Sequence, residues 1–178
     1  MNAVRGRGDG RVVVRDPQRG ASLVEFALVF PILALLLFGT IEFGIAFNDY
    51  QSVRHGAREA ARRAVVWDAG DTSIPDDCTS AASGSIETRR LICFTKQQVD
   101  GIGGGEIRVK VKVPSYHEGE PLTLCVQKRL TSITGMFAPF LNGRVLSTRV
   151  EMRIERINAA PNGLESAEET SFGGSWRC

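Results

Sequence analysis

Two carboxylates occupy positions where a carboxylate is costly. Glu25 and Glu42 are the charged residues within Ala21–Phe47, a 27-residue segment whose inner run Phe26–Ile41 has no charged side chain. An ionised acid at the centre of a membrane helix costs roughly 2.5–3.5 kcal/mol on insertion scales, and less near an interface. Glu25 lies one turn inside the apolar segment and is expected to have a partner; Glu42, toward its outer end, is expected to be solvated. The chemistry open to Glu25 is electrostatic. Chain cleavage after Gly20 creates an ammonium group on Ala21 at nearly the same depth. In a stack of subunits, Glu25 of one chain could then neutralise the amino terminus of its neighbour. The other reading is a carboxylate snorkelling to the lipid headgroups. Ionisable residues inside a membrane are functional candidates by default, which favours the pairing.

Other chemistries find little support. Cys78, Cys93, Cys125 and Cys178 lack the C-x-x-C spacing of a metal site, and His55 and His117 lie in unrelated contexts, so no metal and no cofactor is expected. An even cysteine count outside the membrane favours disulfides. Of three connectivities, the expected one joins Cys78 to Cys93 and Cys125 to Cys178. The first bridge closes a loop of about 15 residues, worth roughly 3 kcal/mol in the chain-entropy picture. The second ties the C-terminal tail over the solvent-facing side of a strand. Gly103-Gly104-Gly105 lacks the Lys and Ser or Thr of a phosphate loop and reads as a turn. No Ser/His/Asp, Cys/His or paired-carboxylate set stands out, so no enzyme is expected. Arg7-Gly8-Asp9 falls in the charged leader and carries no adhesive meaning there.

Composition sets the frame for these groups. An apolar share of 43 % excludes intrinsic disorder, and 19 Gly and 7 Pro without a period exclude collagen-like classes. With 22 basic and 20 acidic residues the net charge is +2, which removes the usual warrant for a nucleic-acid partner. Met1–Gly20 carries five Arg and two Asp and is expected to stay in the cytoplasm. Arg54, Arg58, Arg62 and Arg63 beyond the segment weaken that orientation signal. A secretory signal has an apolar region of about 7–15 residues and a small-residue cleavage site after it, and neither is present. Processing, if it occurs, is expected at Gly20-Ala21. Gly20 permits the extended, tightly enclosed backbone that a protease requires.

The positioning elements follow from periodicity. A span needs about 20 apolar residues, and 21–47 supplies a transmembrane helix. Tyr50, Val53, Ala57, Ala60, Ala61 and Ala64 continue at three- and four-residue spacing, so 48–66 is expected to prolong the helix outside the membrane. Arg54, Arg58 and Arg62 form a parallel charged row. Pro31 removes the hydrogen bond to Ala27 and should loosen or kink the span. Region 67–157 is expected to form an α+β headpiece. It would hold a short amphipathic helix over Ile86–Val99 and three strands marked by alternation: Ile107–Val113, Leu122–Gln127 and Leu146–Glu155. Ile133–Leu141, with Met136, Phe137 and Phe140, reads as a loop or short helical turn. Three strands cannot cover one apolar face alone, and the outer half of the long helix is the expected cover. Residues 158–178 read as a flexible tail.

Arg19-Gly20-Ala21-Ser22-Leu23-Val24-Glu25-Phe26 resembles the processing site of type IV prepilin-like proteins. The stretch from Arg19 to Val65, including Val24-Glu25-Phe26-Ala27-Leu28-Val29-Phe30-Pro31, Ile41-Glu42-Phe43-Gly44 and Ala57-Arg58-Glu59-Ala60-Ala61-Arg62, resembles the TadE-like family of the Tad (tight adherence) pilus system. Pro139–Gly143 running into Val150–Glu155 carries a fainter similarity. The resemblance implies a pilin-like fold and a non-enzymatic minor pseudopilin. It also implies cleavage by a prepilin peptidase after Gly20, with Gly20, Ala21, Glu25 and Phe26 as the processing site. Implied partners are the major pilin, other pseudopilins, the assembly platform and the lipid bilayer of the bacterial inner membrane, with the headpiece extracytoplasmic. Subunit packing is expected at Glu25, Pro31, Gly39 and Gly44. Loss of Met1–Gly20 leaves 17 basic and 18 acidic residues, so association would rest on helix packing and the Glu25 pairing rather than bulk charge. The competing reading is an uncleaved signal-anchored envelope protein with an extracytoplasmic binding or accessory domain.

Overall fold

The computed structural model describes residues 18–66, 84–155 and 163–169 together with Trp176 and Cys178. Residues 1–17 of the charged leader and Cys78 lie outside the described residues, as do most of the expected surface loop before Ile86 and much of the expected tail. The chain divides into two units, Met1–Leu37 and Phe38–Cys178. Helix α1, Gln18–Val65, is continuous through Pro31. The other elements are α2 (Ile86–Val99), β1 (Ile107–Lys112), β2 (Pro121–Arg129), α3 (Ala138–Leu141), β3 (Val145–Arg153) and β4 (Ala167–Glu168).

The architecture is α+β, with an antiparallel sheet of four strands in the order β3-β2-β1-β4 rather than the three expected. The additional strand comes from the segment read as tail. Two residues are too few to show a period, so β4 is set by side chains. Ser166 Oγ accepts the Val113 N–H at 2.9 Å and donates to the Val113 carbonyl at 2.9 Å. Glu169, almost fully buried, accepts the Val109 N–H at 3.0 Å and Lys96 Nζ at 2.6 Å. Just before β4, Ser85 caps the N-terminus of α2 and donates to the Gly163 carbonyl at 2.9 Å. Thr88 Oγ1 bonds both the Glu165 carbonyl and its N–H. Tyr116 packs against Gly163; burial of its hydroxyl, with the Glu87 charge adding, raises its pKa above the usual value.

Alternation decides which face of the sheet is dry. Val109 and Val111 of β1 and Leu122, Leu124 and Val126 of β2 face the core, joined by Ile154 beyond β3. Val53, Ala57, Ala60, Ala61 and Ala64 of α1 supply the opposite wall, with Leu91, Ile92 and Val99 of α2. Small residues let the backbones approach closely. At Gly56 a Cβ would meet Val99 Cγ2 at 2.6 Å, so α2 ends directly against the α1 backbone. Tyr50, read into the same stripe, is instead exposed beneath Arg54.

One polar pair lies inside this core. Lys128 continues the inward phase of β2 and is fully buried, with its Nζ 3.0 Å from Asp49 Oδ1 of α1. The Gly-rich turn covers the pair: a Cβ at Gly101 or Gly103 would strike the Asp49 carboxylate, and one at Gly105, where φ is +98°, would strike the Arg129 carbonyl. On the opposite face, Arg108 donates twice to Gln127 Oε1, at 2.8 and 2.6 Å, under the Trp176 ring. Cys125 is bonded to Cys178 across 53 residues, a loop closure worth about 4 kcal/mol. Cys93 is also disulfide-bonded.

Removing one member of a buried ion pair strands the other charge, at a cost of about 3–5 kcal/mol. Lys128→Met is expected to destabilise the full chain by that amount. Adding Asp49→Ala should restore a large share, because the stranded charge is then gone. Thermal unfolding in detergent, followed by circular dichroism, checks this; losses that simply add would contradict the coupling.

Candidate functional site

Among the described residues, the first unit presents a surface that no other segment covers. Eleven large apolar side chains between Leu23 and Leu37 are each more than half exposed. At about 1.5–3 kcal/mol per side chain removed from water, such a surface requires a covering, whether acyl chains or other helices. Among the described residues, α1 is the helix long and apolar enough to cross a membrane.

Glu25 lies on this surface. It is exposed, and among the described residues it has neither a hydrogen-bond nor an ion-pair partner. Ala21 is four residues before it and therefore on the same face one turn away. Gly20 falls in the first turn of α1, and a Cβ there would have nothing within 4 Å. Gly20, Ala21, Glu25 and Phe26 all lie in the described N-terminal part of α1. Pro31 stands within the helix without ending it.

The two glycines expected to pack subunits differ. Gly44 is open, with nothing within 4 Å of an added Cβ, whereas Gly39 is buried by Phe137 of its own chain, whose Cζ would lie 3.3 Å from a Cβ. The Phe137 ring also rests against Phe43 at 6.0 Å between centroids.

Glu42 corrects the expectation of a solvated carboxylate, being only 3 % exposed. It accepts the N–H groups of Ile133 and Thr134 at 2.9 and 3.3 Å and the Thr134 hydroxyl at 2.8 Å. The reason is backbone bookkeeping: the turn after β2 carries N–H groups with no strand to meet, and buried donors need acceptors. A signal for its burial, though not for its partner, exists in the chain. Glu42 precedes Asp49 by seven residues and Asp49 precedes Val53 by four, so both acids continue the buried stripe of α1.

The helix that carries these groups is also where a family similarity lies. Residues 20–62 match the TadE-like protein family. This TadE-like segment falls entirely within α1 and includes Glu25, Glu42, Asp49 and the alanine stripe up to Ala61. It covers the exposed apolar run and most of the helix face buried under the sheet. Neither a curated protein nor a solved structure matches the chain. Metal-binding clusters of His, Cys, Asp and Glu do not occur among the described residues.

Glu42→Ala removes the charged acceptor of two turn amides, and a hydrogen bond to a charged group is worth about 1.5–3 kcal/mol. Amide hydrogen exchange at Ile133 and Thr134 is expected to accelerate by about tenfold or more, with exchange at Val109 and Val111 unchanged. Unaltered protection at 133–134 would show that the carboxylate does not hold the turn.

Proposed function

We propose that this chain is a TadE-like minor pseudopilin of a Tad (Flp) type IV-like adhesive pilus, cleaved after Gly20 by a prepilin peptidase. In this reading it acts in assembly or initiation of the fibre and has a structural rather than catalytic role. The TadE-like segment itself points to association with a Tad pilus system. The observation that carries the finer reading is Glu25, exposed on an apolar helix one turn from Ala21 and without an intrachain partner among the described residues.

The mechanism follows from charge in a medium that does not solvate it. Cleavage after Gly20 removes five arginines and two aspartates and leaves an ammonium on Ala21. An ammonium and a carboxylate at the same depth in adjacent helices neutralise each other, which sets the axial register of one subunit against the next. Residues Leu23–Leu37 then gain packing against neighbouring helices, where van der Waals contact rather than the hydrophobic effect drives association. Pro31 loosens the helix at mid-depth, which suits a subunit that passes from bilayer to filament. In this reading the protein is a single-pass protein of the bacterial inner membrane, with the leader in the cytoplasm and the headpiece outside. Its partners are the peptidase, the major pilin and other pseudopilins, and the assembly platform.

Glu25→Gln and Glu25→Ala are expected to leave processing intact while abolishing co-isolation with the major pilin and reducing piliation. Immunoblots of membrane and sheared-fibre fractions read both outcomes. Normal piliation in either variant would remove the pairing role. An uncleaved product in peptidase-positive cells would favour an uncleaved, signal-anchored envelope protein.

A further inference from the structure

Glu42 and Phe137 together hold a loop against α1 at a particular level of the helix. The stretch from Leu130 to Gly143 contains no charged side chain. Within it Ile133, Met136 and Phe140 are exposed at 53, 50 and 71 %, although nothing in a soluble surface turn requires large apolar groups. Thr131 Oγ1 donates to the Gly103 carbonyl at 2.9 Å, which ties this loop to the Gly101–Gly105 turn, where Ile102 is 77 % exposed. Both loops lie at the same end of the sheet, opposite the connection between β1 and β2.

Helix length sets the depth of that end. Twenty residues from Ala21 reach Thr40, about 30 Å at 1.5 Å per residue, the thickness of a hydrocarbon core. The loop docks on Gly39, Glu42 and Phe43, in the outer part of the 21–47 apolar segment. Arg144 follows the uncharged stretch and is exposed, a cation suited to a lipid phosphate.

We propose that Ile102, Ile133, Met136 and Phe140 form a rim that inserts into the outer leaflet of the phospholipid bilayer and seats the sheet unit on the membrane surface. The Glu42 bonds keep the loop's N–H groups satisfied at a depth where water is scarce, and the aromatic and aliphatic tips enter the headgroup and acyl boundary as in interfacial amphipathic segments. The rim rests on the reading that α1 spans a membrane.

The test places the photoreactive residue benzoylphenylalanine singly at Phe140, Met136, Leu33 and Glu118 of the full chain, reconstituted in vesicles of phosphatidylcholine and phosphatidylglycerol. After irradiation, mass spectrometry reads lipid adducts. The rim predicts adducts at Phe140 and Met136 comparable to those at Leu33 and about tenfold or more above those at Glu118, which lies at the opposite end of the sheet. Labelling at Leu33 with Phe140 and Met136 no higher than Glu118 overturns the rim while leaving the membrane span standing. So does crosslinking of Phe140 to a second polypeptide only. Absence of adducts at Leu33 as well overturns the span and the rim together.

Discussion

The large apolar side chains from Leu23 to Leu37 are not covered by any other described segment, and their number makes their removal from water the largest single demand the molecule places on its surroundings. At about 1.5–3 kcal/mol each, eleven such groups outweigh the roughly 5–15 kcal/mol that separates a folded domain from its unfolded state. The same helix meets the opposite demand further along, where Val53, Ala57, Ala60 and Ala64 are covered by the sheet and α2. Between the two regimes Phe137 packs on Gly39, while Phe43 and Phe47 beyond it are still exposed. A single helix thus serves one environment with large side chains and the other with small ones.

Carboxylates make the contrast sharper. Glu42, Asp49 and Glu169 are each buried and each satisfied: by two turn amides and a hydroxyl, by Lys128, and by Lys96 with the Val109 amide. The chain therefore supplies partners where it buries acids. Glu25 receives none among the described residues, and a carboxylate at that depth in an apolar segment is expensive without one. A partner brought by another chain resolves the difference, and an amino terminus created one turn away is the simplest supply.

Regular periods were readable in the sequence; single long-range contacts were not. The continuous helix, the 86–99 helix and the alternation of Ile107, Val109, Val111 and Val113 each repeat a signal over several residues. The same is true of the apolar run that follows Gly20 and carries Ala21, Glu25 and Phe26. By contrast, β4 is two residues long, and its position depends on Ser166 and Glu169 finding β1 amides more than fifty residues away. Glu42 reaches a turn 91 residues further on, and local sequence around a lone Glu says nothing about such a partner. Lys128 was the nearest to legible: it continues the inward phase of Leu122, Leu124 and Val126, and a lysine on a dry face calls for an acid. Asp49, in register with Val53 on α1, answers it.

The central claim is that the apolar helix is separated from its arginine-bearing leader so that its new amino terminus can be neutralised beside another helix. The most direct measurement is the intact mass and N-terminal peptide of the chain extracted from cells with and without an active prepilin peptidase. The account predicts a chain beginning at Ala21 when the peptidase is present, about 2 kDa lighter because it lacks 20 of 178 residues of a 19.4 kDa protein, and the full-length mass when it is absent. Recovery of Met1–Gly20 still attached in cells that are assembling pili would contradict it.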